Sequence, residues 1–356
     1  MGARDELSSR VASLRDSRAF SNYQRVRDEV LQMLDTSSDA VEGAPSAYWT
    51  HELQNFEYML DASPLIVENL RHHTFHLTGI RTYEYRPHRA DEARRQLQAK
   101  LRMLVELEGD ALLVPESPAL GGFGHDIDGA LYNTDTLKYF EVLIALERGA
   151  VLDEIRAPGR KLVWEIGAGW GGFAYQFKRL FPDVTYVIVD LPELFLFSAT
   201  YLMTLFPDAT VRFGNGSDES DDWEDADFVF VPARASNALH GIRPNLTLNM
   251  VSFQEMTTEQ VDAYARLAWE LECPFIYSLN RDRSRWNPEL ESVREVLARY
   301  YWVHEVPLLE LPYTRFPELK QLALPQRAVR WMLSTLGRDD SQFDYRHVVG
   351  WRRAST

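Results

Sequence analysis

Between Lys161 and Glu193 the chain passes through an apolar run, a glycine-rich turn, an amphipathic stretch, a second apolar run and an acidic stop. Lys161-Leu162-Val163-Trp164-Glu165-Ile166 reads as a buried parallel strand. Gly167-Ala168-Gly169-Trp170-Gly171-Gly172 then lets the backbone turn tightly and approach a ligand with no Cβ in the way. A helix is expected from Gly172, with Phe173, Phe177 and Leu180 on one face and Pro182-Asp183 at its close. Val184-Thr185-Tyr186-Val187-Ile188-Val189 forms the next strand, which stops at Asp190-Leu191-Pro192-Glu193. The whole is a βαβ unit whose turn can bind a ligand.

Two cofactor classes suit such a unit. Gly167, Gly169 and Gly172 fit the dinucleotide fingerprint, with Asp190 about 20 residues on to hold ribose hydroxyls. The same residues also read as Glu165-x-Gly167-x-Gly169-x-Gly171, the acidic-glycine pattern of class I S-adenosylmethionine (SAM) methyltransferases. Two features favour SAM. Glu165, at the strand's end, would meet the cationic amino-acid end of SAM but would repel a pyrophosphate. Trp170 narrows a turn that a pyrophosphate at a helix N-terminus would want open. A glycine turn that only packs helix on strand is the plainer alternative; the flanking strand, helix and Asp190 argue against it.

At 356 residues the chain is longer than one ordinary domain, so two domains or one domain with a large extension is expected. Its residues are 45% apolar and 12% aromatic, ample for a packed core. A net charge of −15 argues against nucleic acid or an anionic membrane as partner and suits a neutral or cationic small substrate. The single cysteine, Cys273, excludes an internal disulfide framework and reads as a buried, inert thiol in a reducing compartment. Met1 to Arg18 is charged and lacks an apolar core, and no apolar run reaches about 18 residues. A soluble, cytoplasmic protein is the expectation.

Residues 4–35 read as one charged helix, which could cap a domain or pair with a second copy in a homodimer. Thr36 to Pro45 is a polar linker. Tyr48 to Thr78 is helical again, restarted by Ser63 as cap and Pro64 in the first turn. His72 and His76 stand four apart there, but the Glu of a zinc-protease signature is missing, so substrate contact or burial is favoured over a metal. Asp91 to Leu107 is a further charged helix. Leu112 to Lys138 is a glycine-rich loop carrying His125, Asp126, Asp128, Asn133 and Asp135. Loops of this kind often carry chemistry. Asn133, Thr134 and Asp135 are also placed to cap a helix over Thr136 to Arg148, which leaves His125 as the residue to test.

Beyond the βαβ unit a helix is expected over Glu193 to Phe206 and strands over Thr210 to Phe213 and Asp227 to Val231. The acidic loop between those strands offers Asp218 as a candidate adenine contact. Leu246 to Val251 is the next buried strand, followed by Ser252-Phe253-Gln254-Glu255-Met256 and a capping box at Thr257 to Gln260. Glu255 therefore falls at the carboxyl end of a strand, where open α/β sheets bind ligands. Pro274 to Asn280 is a strand, Asn287-Pro288 opens a helix to Arg299, and Tyr301 to Val306 and Ala328 to Ser334 are expected to close the sheet. The tail from Gly337 receives no assignment.

Strands and helices alternating from 161 to 334 define an α/β, doubly wound, Rossmann-like sheet. A methyl acceptor must be held in line and, if it is a hydroxyl, must lose its proton to a base. Glu255 and His125 are the candidates for that base; a histidine suits it at its ordinary pKa, whereas Glu needs burial. A dipole-stabilised carboxylate at a helix end is the alternative for Glu255.

These residues resemble the bacterial sugar O-methyltransferases of natural-product and polysaccharide gene clusters. The likeness rests on Glu165 to Gly172, on Val189-Asp190-Leu191-Pro192-Glu193 and on Asn249 to Met256. It extends to Arg71-His72-His73, His76-Leu77-Thr78-Gly79 and Tyr132 to Lys138, and covers roughly residues 48 to 335. The family more often has Tyr where this chain has Trp170. The resemblance implies a class I methyltransferase sheet that transfers methyl from SAM to a deoxysugar hydroxyl, on a nucleotide sugar or a glycosylated product. It gives Glu165, Gly167, Gly169, Asp190 and Leu191 to SAM and places Glu255 near the acceptor. Some sugar methyltransferases use Mg²⁺; such an ion would fall to Asp126 and Asp128, and the reading adopted has no metal.

The expected organisation is a helical N-terminal cap over residues 1–155, a SAM-binding domain over 156–335 and a tail over 336–356. The cap would exclude water and supply Asp126, Asp128, Asn133, His72 and His76 to the sugar. The rivals are a nicotinamide-dependent oxidoreductase using the same glycines and a methyltransferase-like subunit without activity.

Overall fold

A computed structural model describes residues 2–35, 45–86, 91–214, 223, 225–239, 241–283, 287, 289–308 and 345–354. A small antiparallel ribbon, β1 (His125–Ile127) and β2 (Ala130–Tyr132), precedes the main sheet. Among the described residues that sheet has eight strands: β3 (Leu162–Ile166), β4 (Thr185–Asp190), β5 (Val211–Phe213), β6 (Phe228–Pro232), β7 (Leu246–Met250), β8 (Phe275–Arg281), β9 (Tyr301–Glu305) and β10 (Tyr345–Arg352). Their order is β5-β6-β4-β3-β7-β8-β10-β9. The first six are parallel, while β10 runs antiparallel to both β8 and β9.

A parallel sheet needs both faces covered, and the strand residues divide accordingly. Along β4, Tyr186 and Ile188 enter one core while Val187 and Val189 enter the other. Helices α7 (Thr134–Arg148), α8 (Val151–Arg156), α9 (Gly172–Leu180) and α10 (Phe195–Leu205) share the first core with the N-terminal helices. Helices α11 (Thr258–Glu270) and α12 (Val293–Leu297) cover the second. The chain leaves β3 for β4 and its neighbours, then crosses back to β7 on the other side. Such a reversal opens a crevice at the carboxyl ends of the strands. The strand order and the terminal antiparallel pair are those of class I methyltransferase sheets.

The N-terminal region consists of α1 (Ala3–Arg15), α2 (Arg18–Asp35), α3 (Ala47–Glu52), α4 (Pro64–Glu68), α5 (Phe75–Thr78), α6 (Asp91–Glu108) and intervening 3-10 turns. The single helix expected over 4–35 is two, because Ser17 accepts from the backbone of Phe20 at 3.2 Å and starts the second. Ser63 caps α4 as expected, with Pro64 opening it. Asn133 caps α7 in a reciprocal capping box, and Thr257 with Gln260 does the same for α11.

Two expectations after β8 are revised. The helix foreseen from Asn287 begins instead at α12, where Ser292 accepts from Glu295 N at 3.1 Å. Asn287 bonds back to the Gln254 and Met256 carbonyls, which fixes it as a tether. The last strand, β10, comes from the unassigned tail and pairs along its length with β8. The stretch Ala328 to Ser334 and Asp218 lie outside the described residues. Cys273 is buried between β7 and β8: Thr247 donates to its sulfur at 3.3 Å, and burial pushes the thiol up to about 12. No helix among the described residues is long and apolar enough to cross a membrane.

Candidate active site

A cleft of about 1070 Å³ opens at the carboxyl ends of β3, β4, β6 and β7. Its floor is Ile166-Gly167, Val189-Asp190-Leu191, Ala233-Arg234 and Met250-Val251-Ser252, each the last residues of a strand or the first beyond it. Glu255 stands on one wall, Trp49 and Leu77 of the N-terminal region roof it, and residues of α11 line its outer part.

The glycine turn is shaped by two approaches. Gly167 has φ +72, and a Cβ there would lie 2.2 Å from Ser252 Oγ, so only glycine lets β3 and β7 end side by side. Gly169 has φ +59, and a Cβ there would enter open space: the turn faces room for a ligand. The N–H of Gly169 donates to Asp190 Oδ2 at 2.8 Å, and that of Leu191 donates to Oδ1 at 2.8 Å. Each carboxylate oxygen keeps a lone pair for a ligand hydroxyl. Burial pushes Asp190 up to about 7 against the pull of these backbone donors.

The opposite wall is held by amides. Asn249 Nδ2 donates to the Ile166 carbonyl (2.9 Å) and to Ser252 Oγ (2.5 Å), while its Oδ1 accepts from Phe253 N and Asn280 Nδ2. Between them Val251 sits at φ +69, a conformation costing a β-branched residue roughly 1–3 kcal/mol. The strain turns the chain sharply from β7 into the 3-10 turn Phe253–Glu255. Gln254 anchors that turn by accepting from Arg281 N and donating to Tyr345 Oη. Glu255 is thereby delivered to the cleft, where its Oε2 accepts from Trp49 Nε1 at 3.0 Å. It stays partly exposed there. Burial of the carboxyl pushes it up to about 8; Trp49 pulls it down, and the fields of Asp190 and Glu52 push it further up.

Of the residues singled out from sequence, the cleft gathers Gly167, Gly169, Asp190, Leu191 and Glu255. Glu165 does not line it: its side chain is fully buried, accepts from Tyr186 Oη at 2.9 Å, and is pushed up to about 8 by burial. His125 is buried on β1 with its ring 4.8 Å from that of Tyr85, and burial lowers its pKa. Asp126 accepts from Gly129 N in the β1–β2 turn, where Asp128 adopts φ +54. Asn133 is occupied as the α7 cap and as donor to Glu116 and the Phe123 carbonyl. His72 meets the edge of Phe123, and His76 those of Phe56 and Phe75. None of these six lines the cleft. Among the described residues no three His, Cys, Asp or Glu side chains gather where they could hold a metal ion.

Sequence reasoning missed Trp49, Leu77, Arg234 and Ser252 as cleft residues. Ser252 alone had a signal, being adjacent to a strand's carboxyl end.

No family model matches the sequence, and no curated protein matches it. Solved structures to which it is similar include phosphoethanolamine N-methyltransferase 2 of Haemonchus contortus, at 12% identity and TM-score 0.30 over 62% of this chain and 59% of that one. The YcgJ protein of Bacillus subtilis follows at 13% identity and TM-score 0.36, over 60% of this chain and 100% of that one. The N-methyltransferase NodS of Bradyrhizobium japonicum is similar at 12% identity and TM-score 0.35, over 62% and 97%. This chain thus spans less than two thirds of the nematode enzyme's length. Strand order and cleft geometry, rather than these distant likenesses, define the class: an α/β protein with a mostly parallel sheet of class I methyltransferase type and a helical N-terminal region.

Proposed function

We propose that this chain is a SAM-dependent O-methyltransferase whose acceptor is a sugar hydroxyl, and that Glu255 is its general base. The observation that carries the reading is the shared cleft: Gly167, Gly169 and Asp190 on one side, Glu255 on the other. The residues present suit SAM. Open space faces Gly169, and Asp190 keeps acceptor capacity for two ribose hydroxyls at the end of β4. When bound, SAM supplies a methyl group already activated on a sulfonium.

The protein's own part is orientation, dryness and proton removal. Trp49 Nε1 fixes the Glu255 carboxylate, leaving Oε1 to take the acceptor's hydroxyl proton as that oxygen gains its methyl. A base raised to about 8 is matched to a neutral operating pH better than an ordinary Glu. Trp49 and Leu77 roof the cleft and limit water. The sugar is supported by the likeness of Arg71 to Gly79, Tyr132 to Lys138 and Asn249 to Met256 to the sugar O-methyltransferases.

Calorimetric titration with S-adenosylhomocysteine, with NADH as parallel control, tests the cofactor. Binding of the homocysteine compound alone, lost in Asp190→Ala, is expected; binding of NADH instead overturns the reading. Methyl transfer to a panel of glycosides and nucleotide sugars then tests the acceptor, and transfer only to non-sugar hydroxyls sinks that half of it.

A further inference from the structure

We infer that Arg71 is a positioning residue for the cofactor turn, acting through the indole of Trp170. The inference rests on the SAM reading above. Arg71 lies in the 3-10 turn Leu70–Thr74, far in sequence from the glycines, and its side chain is 0% exposed. Its guanidinium is fixed in the plane on three sides. Nε donates to Glu116 Oε1 at 2.8 Å, Nη1 to Thr74 Oγ1 at 2.6 Å and Nη2 to Asp135 Oδ2 at 2.7 Å. Both acids are themselves held: Lys138 Nζ donates to Asp135 Oδ1 at 3.0 Å, and Asn133 Nδ2 to Glu116 Oε2 at 3.0 Å.

What this frame presents is a flat, immobile cation. Its Cζ lies 3.7 Å from the centroid of the Trp170 ring and 4.6 Å from that of Phe123. Trp170 sits between Gly169 and Gly171 in the turn, and its ring folds back on the chain. A Cβ on Gly172 would be 2.1 Å from Trp170 Cζ2, so the indole rests directly on the Gly172 backbone. Tyr201 meets the indole edge-on at 5.0 Å. Confined by Arg71, Gly172 and Tyr201, the ring has one place, and the neighbouring Gly169 N–H is aimed at Asp190.

A purely structural ion cluster would tie the N-terminal region together and affect folding alone. The stack on Trp170 makes a different claim, that the frame sets the turn's geometry and hence its affinity for SAM. The test is a double-mutant cycle read on S-adenosylhomocysteine binding by calorimetry, with melting temperatures measured in parallel. Arg71→Lys keeps the charge beside Glu116 and Asp135 but loses the planar face. It should weaken binding about tenfold, Trp170→Leu should do the same, and the double variant should be no worse than either single. In turnover assays KM for SAM should rise by more than kcat falls.

A double variant about a hundredfold weaker, the product of two independent losses, overturns the inference. So does wild-type affinity in Arg71→Lys with a lowered melting temperature. If Arg71→Lys does not fold, the turn side decides alone: Trp170→Phe, which keeps an aromatic face, should bind within about twofold of wild type while Trp170→Leu does not. Equal affinities in those two variants count against the stack. Failure of the wild-type protein to bind S-adenosylhomocysteine removes the SAM reading and this inference together, an outcome distinct from all the others.

Discussion

Two groups of acids flank the glycine turn, one paired with cations and the other not. In the N-terminal region Asp135 faces both Lys138 and Arg71, and those cations carry it below its ordinary range despite burial. Glu116 faces one cation, and there burial wins and raises it. Around the cleft, Glu165, Asp190 and Glu255 have no cation within salt-bridge distance among the described residues; burial raises all three. Paired acids brace a structure; of the unpaired ones, Asp190 and Glu255 line the cleft and are available to bind hydroxyls and move protons.

The largest effect should come from breaking the paired group. Arg71→Met strips Glu116 of its cation and leaves Asp135 with Lys138 alone, and should destabilise the fold by about 3–5 kcal/mol in urea unfolding. The double change Arg71→Met, Glu116→Gln should recover most of that loss, since Asp135 keeps Lys138 and no buried charge is left without a partner. Next, on the cleft side, Glu255→Gln should lower kcat by about 10²–10⁴ while leaving S-adenosylhomocysteine affinity nearly intact. In the wild type, kcat/KM should rise with pH up to about 8, and the limb in kcat should lie lower because a cationic cofactor favours the carboxylate. Unaltered turnover in Glu255→Gln would remove it as the base. Asp190→Ala should weaken cofactor binding by about 10- to 100-fold, as loss of charged hydrogen bonds does.

A further test separates the two groups by pH. Glu165 is raised from an ordinary 4.5 to about 8 in the fold. Its contribution is therefore fully present below 4.5 and is lost as pH rises through about 8. Glu165→Gln should flatten that fall in stability, measured by urea midpoints across this range. A steeper fall in the variant would show that Glu165 is not the group that titrates.

The βαβ unit was legible because its signals are local: two apolar runs, three glycines forced left-handed or close-packed, and an acid at a strand's end. Glu255 was legible for the same reason. Trp49 was not, since its bond to Glu255 joins positions 206 apart and nothing near it in the chain marks it. His125 illustrates the opposite error. Amid glycines and acids it reads as a candidate base on a loop, but the β1–β2 ribbon folds it in against Tyr85, away from the cleft. Arg71 and Asp135 both fell in segments carrying the family likeness, while their contact with each other and with Trp170 is a tertiary fact. The closing strand hid because Arg346, His347 and Arg352 interrupt its apolar residues, and its pairing with β8 rather than its own pattern makes it a strand.

Cys273, the chain's one cysteine, turns this architecture into a clock. Its sulfur is sealed between β7, which ends at the cleft, and β8, and burial keeps it a thiol rather than a reactive thiolate. A thiol reagent can reach it only when that part of the sheet opens. A ligand bridging β3, β4 and β7 slows the opening in proportion to its occupancy, so labelling rates would rank candidate cofactors and acceptors without any assay for transfer.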